Sequence, residues 1–398
     1  MTDRRGSAPR SIWSRLGLVS LAAVLAAAAL AVSACGTDSD SGDGGSGDGG
    51  GDVGLAYTAT LSGQFASYGT EMQDGVELAV DEINADGGID GRQINLTTED
   101  DLGRPGNGPV VAQKFCDDSE ISAVLGYSFS SVALAAVPIY DQCGLPVLAS
   151  AVTSPELSGS SPVFFRNVLS DDFQGHEMGT YAVETLGYDR IAVMNQKDDY
   201  GTGTSDGFIA GVEEAGGTIL SRDEYQLGTT SFDNQLTKIK GKDPDAIYIG
   251  GFYAEASKIA QQARALGIDQ PLLGTDGSLS PDLLKLGGDA VEGMHVYGVF
   301  SPAADDPEVN DFVKRYKQAN GEEPTSWAAL AYDAVYTIKA AVEESGDASR
   351  EGIAEGLRGL SEQEGVTGPT TFDDDGNRQG RVLFLQVKNG EFVLADEQ

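Results

Sequence analysis

From residue 53 onward the chain alternates short β-branched or apolar runs with stretches whose apolar residues recur at helical spacing, and no other feature narrows the possible folds as far. The runs lie at 53–60, 93–98, 121–125, 146–149, 190–195, 246–251, 271–274 and 294–300. Between them fall amphipathic stretches at 70–84, where Met72, Val76, Val80 and Ile83 share a face, and at 174–186, 207–215, 256–266 and 308–320. Such strand and helix alternation predicts an α/β protein of parallel sheets covered by helices on both sides. Ligands of such sheets bind beyond the carboxyl ends of the strands. The globular part, about 345 residues, exceeds what one core organises, so two lobes are expected. Crossings between them are predicted at 155–175, 301–307 and 373–380, ahead of a closing hairpin at 382–387 and 392–394 with a Lys388-Asn389-Gly390 turn. This divides the chain into a first lobe of 53–170 plus 301–377 and a second of 171–300 plus 378–398. Three crossings interleave the lobes and make a hinge.

The N-terminus carries Arg4, Arg5, Arg10 and Arg15 and then a nearly unbroken apolar run over 16–32, the pattern of a secretory signal ending at residue 34. The run closes on Val32-Ser33-Ala34-Cys35, which resembles a lipobox, in which the cysteine is lipidated and becomes the new N-terminus. The other reading is an uncleaved anchor, since about 17 apolar residues is the lower limit for spanning a bilayer. Both readings tether the rest of the chain outside the cytoplasmic membrane. Residues 35–52 are almost entirely Gly, Ser and Asp, a flexible spacer with a reach of about 20 to 25 Å.

The chain holds 26 Lys+Arg against 62 Asp+Glu, a formal net charge of −36. Removal of residues 1–34 takes away four of the basic and one of the acidic residues and leaves −39. Nucleic acids and anionic lipid surfaces are therefore excluded as partners of the body as a whole, and contact with the membrane is expected only through the lipid anchor. With Cys35 lipidated, Cys116 and Cys143 remain as an even pair in an oxidising compartment. A disulfide between them is expected, with two buried thiols as the alternative.

Catalytic signatures fail one by one. His176-Glu177-Met178-Gly179-Thr180 opens like a zinc-protease helix but lacks the second histidine four residues on. Gly126-Tyr127-Ser128-Phe129-Ser130 nearly spells the hydrolase nucleophile elbow, yet serine replaces its last glycine, and only His176 and His295 are present to serve as a base. Gly201-Thr202-Gly203-Thr204-Ser205-Asp206 places an acid where a dinucleotide loop needs its third glycine. No enzyme activity, metal or cofactor is expected, and binding is what remains. At 126–131 a buried strand hands over to a helix through three hydroxyls and two rings. A serine there caps the helix, or the helix N-terminus holds an anion. The next strand end, Ala149 to Pro155, again sets small and hydroxyl residues after an apolar run. Two such ends side by side would surround a carboxylate, which capping alone does not require.

These residues resemble the extracytoplasmic substrate-binding proteins of ABC importers, of the leucine/isoleucine/valine-binding type with the type I periplasmic-binding fold. The resemblance covers nearly all of 53–394 and rests on the order of Leu61-Ser62-Gly63, Tyr68-Gly69, Ile83-Asn84, Gly87-Gly88-Ile89, Glu99-Asp100-Asp101, Ser130-Ser131 and Ser154-Pro155-Glu156-Leu157. Asp199-Tyr200-Gly201, Gly250-Gly251-Phe252, Gly274-Thr275-Asp276-Gly277 and Ala290-Val291-Glu292-Gly293 continue it. It implies two lobes with a three-crossover hinge, and an ABC permease as partner. It also implies a small amino acid or amino-acid-like ligand whose carboxylate meets Ser130 and backbone N–H groups. The Ala151 carbonyl, the Thr153 hydroxyl and, from the second lobe, Asp276 would take the ammonium. Tyr68, Tyr200 and Phe252 would line the pocket, although core packing also accounts for such rings. Phe252 stands where relatives often carry tyrosine, Asp276 where glutamate is common, and Phe129 adds a ring, so amides, urea and aromatic acids stay open as ligands. A ligand-binding sensor component of a signalling receptor is the other function this fold would serve.

Overall fold

The computed structural model describes residues 51–395. The expected signal, Cys35 and most of the expected spacer lie outside the described residues.

Two sheets organise the chain. The first is five-stranded in the order β2-β1-β3-β4-β5, built from β1 (Val53–Ala59), β2 (Ile94–Asp100), β3 (Ile121–Gly126), β4 (Val147–Ala149) and β5 (Phe164–Arg166). All its pairings are parallel. The second is seven-stranded, β12-β11-β10-β9-β8-β6-β7. It contains β6 (Arg190–Gln196), β7 (Thr218–Tyr225), β8 (Ala246–Gly250), β9 (Leu272–Leu273), β10 (His295–Gly298), β11 (Leu383–Lys388) and β12 (Glu391–Leu394). Its first five strands are parallel, and β11 and β12 add an antiparallel edge. Every residue of β1 and of β8 is buried, as strands covered on both faces by helices must be.

The chain leaves the first sheet after β5 and the second after β10. It then forms the helices Pro307–Asn320, Ser326–Ser345 and Arg350–Gly359, of which Ser326–Ser345 packs on Ala66–Ala85 and β3. It returns to the second sheet through β11. Two of these passages run side by side: the Arg166 N–H donates to the Gly376 carbonyl at 3.0 Å and the Arg378 N–H to the Arg166 carbonyl at 3.1 Å. Arg166 and Arg378 are both buried: Arg166 spends Nε, Nη1 and Nη2 on Asn377, the Ser154 carbonyl and Ser158, and Arg378 spends its two Nη groups on the Asn167 and Thr367 carbonyls and the Thr367 hydroxyl, while its Nε has no partner within the protein. A buried guanidinium is stable only when largely so satisfied, which pins the junction of the lobes.

The hairpin turns at Asn389 (φ 56°) and Gly390 (φ 77°), the paired left-handed conformation of a two-residue turn. Cys116, on the helix Gly108–Asp117, is joined by a disulfide to Cys143, on Ser130–Cys143. Among the described residues no helix is long and apolar enough to cross a membrane.

Candidate functional site

The handover from β3 to the helix Ser130–Cys143 is a sharp left-handed corner. Gly126 sits at φ 115°, and a Cβ there would lie 2.1 Å from the Thr58 carbonyl oxygen, so only glycine fits. Tyr127 follows at φ 61°, rare for an aromatic residue. It is held by its N–H donating to the Thr58 carbonyl at 2.6 Å and by a 2.7 Å bond between its hydroxyl and that of Tyr140. The corner costs on the order of 1–2 kcal/mol and sets Phe129 and Ser130 above the carboxyl end of the sheet. Neither Ser130 nor Ser131 caps the helix: Phe129 is the N-cap and makes no side-chain bond to it. The Ser130 hydroxyl instead accepts from the Ser154 N–H at 3.3 Å, tying the β3 end to the β4 end. The Ser128 hydroxyl accepts from the Thr60 N–H at 3.2 Å and ties in the end of β1.

At the β4 end Ala151 is half-buried, while Thr153 is fully buried and its hydroxyl has no hydrogen-bond partner within the protein. The Thr153 carbonyl accepts from the N–H of Asp171, the first residue of the helix Asp171–Glu184. From the second lobe, Asp276 is 3 % exposed and held by three donors: the Tyr200 hydroxyl at 2.6 Å, the Gly277 N–H at 2.8 Å and Gln174 Nε2 at 3.2 Å. Burial pushes its carboxyl above the usual range, and those hydrogen bonds hold the rise back. Asp171 is pushed up further, first by burial and then by the neighbouring Asp276 charge. The Thr153 hydroxyl and the Arg166 charge work against that rise, without either making a bond of good geometry to it.

Rings close the space between the lobes. Phe252 stacks on Tyr200 with centroids 4.7 Å apart and meets Phe129 edge-on at 5.0 Å and Tyr68 at 5.8 Å. The Tyr68 hydroxyl donates across to the Gly277 carbonyl. Tyr253 lies 5.2 Å from Tyr68, and its hydroxyl donates to the Gln64 carbonyl at 3.1 Å. Tyr68, Phe129, Ser130, Ala151, Thr153, Tyr200, Phe252 and Asp276 thus gather at the carboxyl ends of both sheets.

The sequence reading missed Asp171, Gln174, Phe65, Tyr253 and Trp327. Phe65 packs on Phe129 and Phe252, and Trp327 on Tyr68. Asp171 carried one usable signal, an acid directly after a chain crossing. An acid opening a helix also reads as a match to the helix dipole, which hid it. His176 lies on the surface beside Glu214 at 3.0 Å, away from these residues. Among the described residues no cluster of His, Cys, Asp and Glu has metal-holding geometry.

Two parallel-sheet lobes meeting over polar groups and rings at their strand ends define the class: a two-lobed α/β binding protein. The chain belongs to the Periplasmic binding protein family, whose model matches residues 52–391. It is 28% identical over 341 residues to the leucine-, isoleucine-, valine-, threonine- and alanine-binding protein of Pseudomonas aeruginosa, covering 85% of this chain and 88% of that one. The crystal structure of a leucine-binding protein from Thermotoga maritima is similar at a TM-score of 0.82 and 31% identity, covering 86% of this chain and 97% of that one. A branched-chain amino acid transporter substrate-binding protein from Streptococcus pneumoniae, solved with isoleucine, gives 0.81 and 32% over the same shares. These relatives are solute-binding proteins rather than enzymes.

Proposed function

We propose that the protein is an extracytoplasmic, lipid-anchored solute-binding protein that captures a small amino acid or a close analogue between its lobes and delivers it to an ABC permease in the membrane. The observation that carries this reading is the meeting of Asp276, from the second sheet, with the hydroxyl-rich ends of β3 and β4 from the first. Ser130 and the N–H groups of its corner suit a carboxylate, while Thr153, the Ala151 carbonyl and Asp276 suit an ammonium. The amino-acid ligands of the relatives support an amino acid as the ligand. Ligand held first by the Ser130 and Thr153 side recruits the Tyr200, Phe252 and Asp276 side, and the hinge closes over it. Only ligands with more contacts in the closed form drive this step.

Calorimetry with leucine, isoleucine, valine and alanine tests the reading. Asp276→Ala is expected to lower affinity at least ~100-fold, since it leaves a desolvated ammonium without its held carboxylate. Ser130→Ala is expected to weaken amino acids more than their amides, because it removes a donor to the carboxylate. Unchanged affinity in Asp276→Ala, or equal losses for acid and amide in Ser130→Ala, would count against the respective roles.

A further inference from the structure

A cavity of about 530 Å³ lies at the junction of the lobes, and none of the groups gathered at the strand ends lines it. All three crossings form its wall: Leu169 from the first, Phe300 and Ser301 from the second, Arg378 and Gly380 from the third. Val309, Val366, Leu383 and Leu394 complete a mostly apolar lining. Such a size and lining suit a small organic molecule.

One polar group in that wall is not accounted for. Arg378 is 5 % exposed and donates through Nη1 and Nη2 to backbone carbonyls and to the Thr367 hydroxyl. Its Nε has no hydrogen-bond partner within the protein, and Gly380 puts no side chain over it: a Cβ there would stand 3.8 Å from Nε. Asp333, whose field reaches the guanidinium, spends both its oxygens on the Val366 and Thr367 N–H groups and the Thr367 hydroxyl. The buried charge therefore has no ion pair among the described residues. Asp305, Asp306 and Arg381 also border the cavity, but all three are exposed. Asp306 is further committed to the helix Pro307–Asn320, accepting from the Glu308 N–H at 2.8 Å. Exposed charges act weakly through water, whereas a buried one acts through a low dielectric, so Arg378 sets the preference.

A buried cation with a spare donor in an apolar wall favours an anion that brings a single charge and an apolar body. A second negative charge would be desolvated without a partner. We propose that this cavity is a second ligand site, for a monocarboxylate with an apolar body, and that filling it strengthens capture in the cleft. The cavity is bounded in this way in an arrangement in which the Tyr68 hydroxyl donates across the cleft to the Gly277 carbonyl. A ligand that touches all three crossings favours that arrangement through its contacts. The site stands on its own residues, while its coupling to the cleft rests on the amino-acid reading above.

The test is calorimetry on the full chain with octanoate, octanamide and octylammonium as probes, each with and without saturating leucine. Octanoate is expected to bind in both conditions, octanamide at least ~10-fold more weakly and octylammonium not at all, because only the carboxylate answers the buried charge. Bound octanoate is expected to raise leucine affinity by ~5-fold or more, and leucine to raise octanoate affinity by the same factor. Ala304→Trp, on the second crossing and in the cavity wall, fills the space and is expected to weaken octanoate at least ~10-fold, while its melting temperature shows that it is folded. Octanoate that leucine displaces belongs in the cleft and overturns the inference. Absence of octanoate binding overturns it too, as does binding that octanamide equals or that Ala304→Trp leaves intact. Leucine affinity that is blind to bound octanoate overturns the coupling to the hinge. A chain that binds octanoate in the expected pattern but no amino acid overturns the proposed function and leaves the second site standing. The comparison of acid with amide decides the matter even if the variant does not fold.

Discussion

Single side chains away from the ligand carry part of the design, and Glu71 is the clearest. It lies on the helix Ala66–Ala85, where its Oε2 accepts from the Thr325 hydroxyl at 3.0 Å. Burial, with Asp282, Glu322 and Asp74 nearby, pushes its carboxyl from 4.5 up to about 7 against that one bond. A carboxyl whose folded value is raised destabilises the fold when ionised. The cost is absent below the unfolded value and is fully present above about 7. Glu71→Gln keeps the acceptor for Thr325 and removes the charge, so its melting temperature is expected to rise by ~3 °C at about pH 8 and to match the wild type near pH 4. Scanning calorimetry at the two values checks it, and a gain that persists at acid pH would refute the electrostatic cause. At this scale the site was partly readable. Ser130, Thr153 and Asp276 stand beyond strand ends, where hydroxyls and an acid after apolar runs mark the place of the proposed cleft. Asp171 and Tyr253 were not readable, because an acid at a helix start and a ring on a buried helix face have ordinary explanations that only their missing or cross-lobe partners rule out.

Among the elements, the disulfide is the strongest local tie, closing a span of 27 residues between the helices Gly108–Asp117 and Ser130–Cys143. A loop of that length contributes about 3.5 kcal/mol in the chain-entropy account. Cys143→Ser is therefore expected to lower unfolding free energy by roughly 2–4 kcal/mol in oxidising buffer, as read by denaturant titration. Its amino-acid affinity is expected to be unchanged, since the bond lies at the end of the helix opposite Ser130. A variant as stable as the wild type would mean that the unfolded chain gains nothing from being cut free. The legibility of elements follows from burial. All eight runs became strands: those inside the sheets are apolar throughout because both faces are covered, while the edge strand Ile94–Asp100 was readable from its alternation of buried and exposed residues. Two strands escaped. Thr218–Tyr225 is an edge strand whose residues are mostly exposed or half-buried, so it carries no apolar run. Phe164–Arg166 has only three residues and was read as part of a crossing. The helix starts were placed too late by three to eight residues at Ala66–Ala85, Asp171–Glu184, Asp199–Glu214 and Tyr253–Ala265. Their first turns mix small and polar residues with single rings, so the apolar periodicity starts only one or two turns in.

For the molecule as a whole, the proposed capture of a ligand requires a balance between open and closed arrangements of two lobes joined at a buried junction. Contacts across the cleft come from rings more than from charges. Tyr253 meets Phe65 at 5.9 Å and Tyr68 at 5.2 Å, and its hydroxyl pairs with that of Ser67 at 3.1 Å. All three partners sit at the start of the helix Ala66–Ala85 or directly before it, so the ring latches the second lobe onto the first without belonging to the polar head site. Each aromatic pair is worth about 0.5–1.5 kcal/mol beyond its buried area. Removing both ring pairs with Tyr253→Ala is therefore expected to shift the hinge toward the open form by roughly 1–3 kcal/mol. Because apparent affinity scales with the fraction of molecules able to close, the same change is expected to weaken every ligand by a similar factor, ~5- to 100-fold, without altering their ranking. Small-angle scattering of Tyr253→Ala without ligand should give a larger radius of gyration than wild type, and saturating ligand should restore it. If both the radius and the affinities match the wild type, the latch lies elsewhere in the ring cluster, and closure owes its bias to the Tyr68 bond to Gly277 and to Phe252.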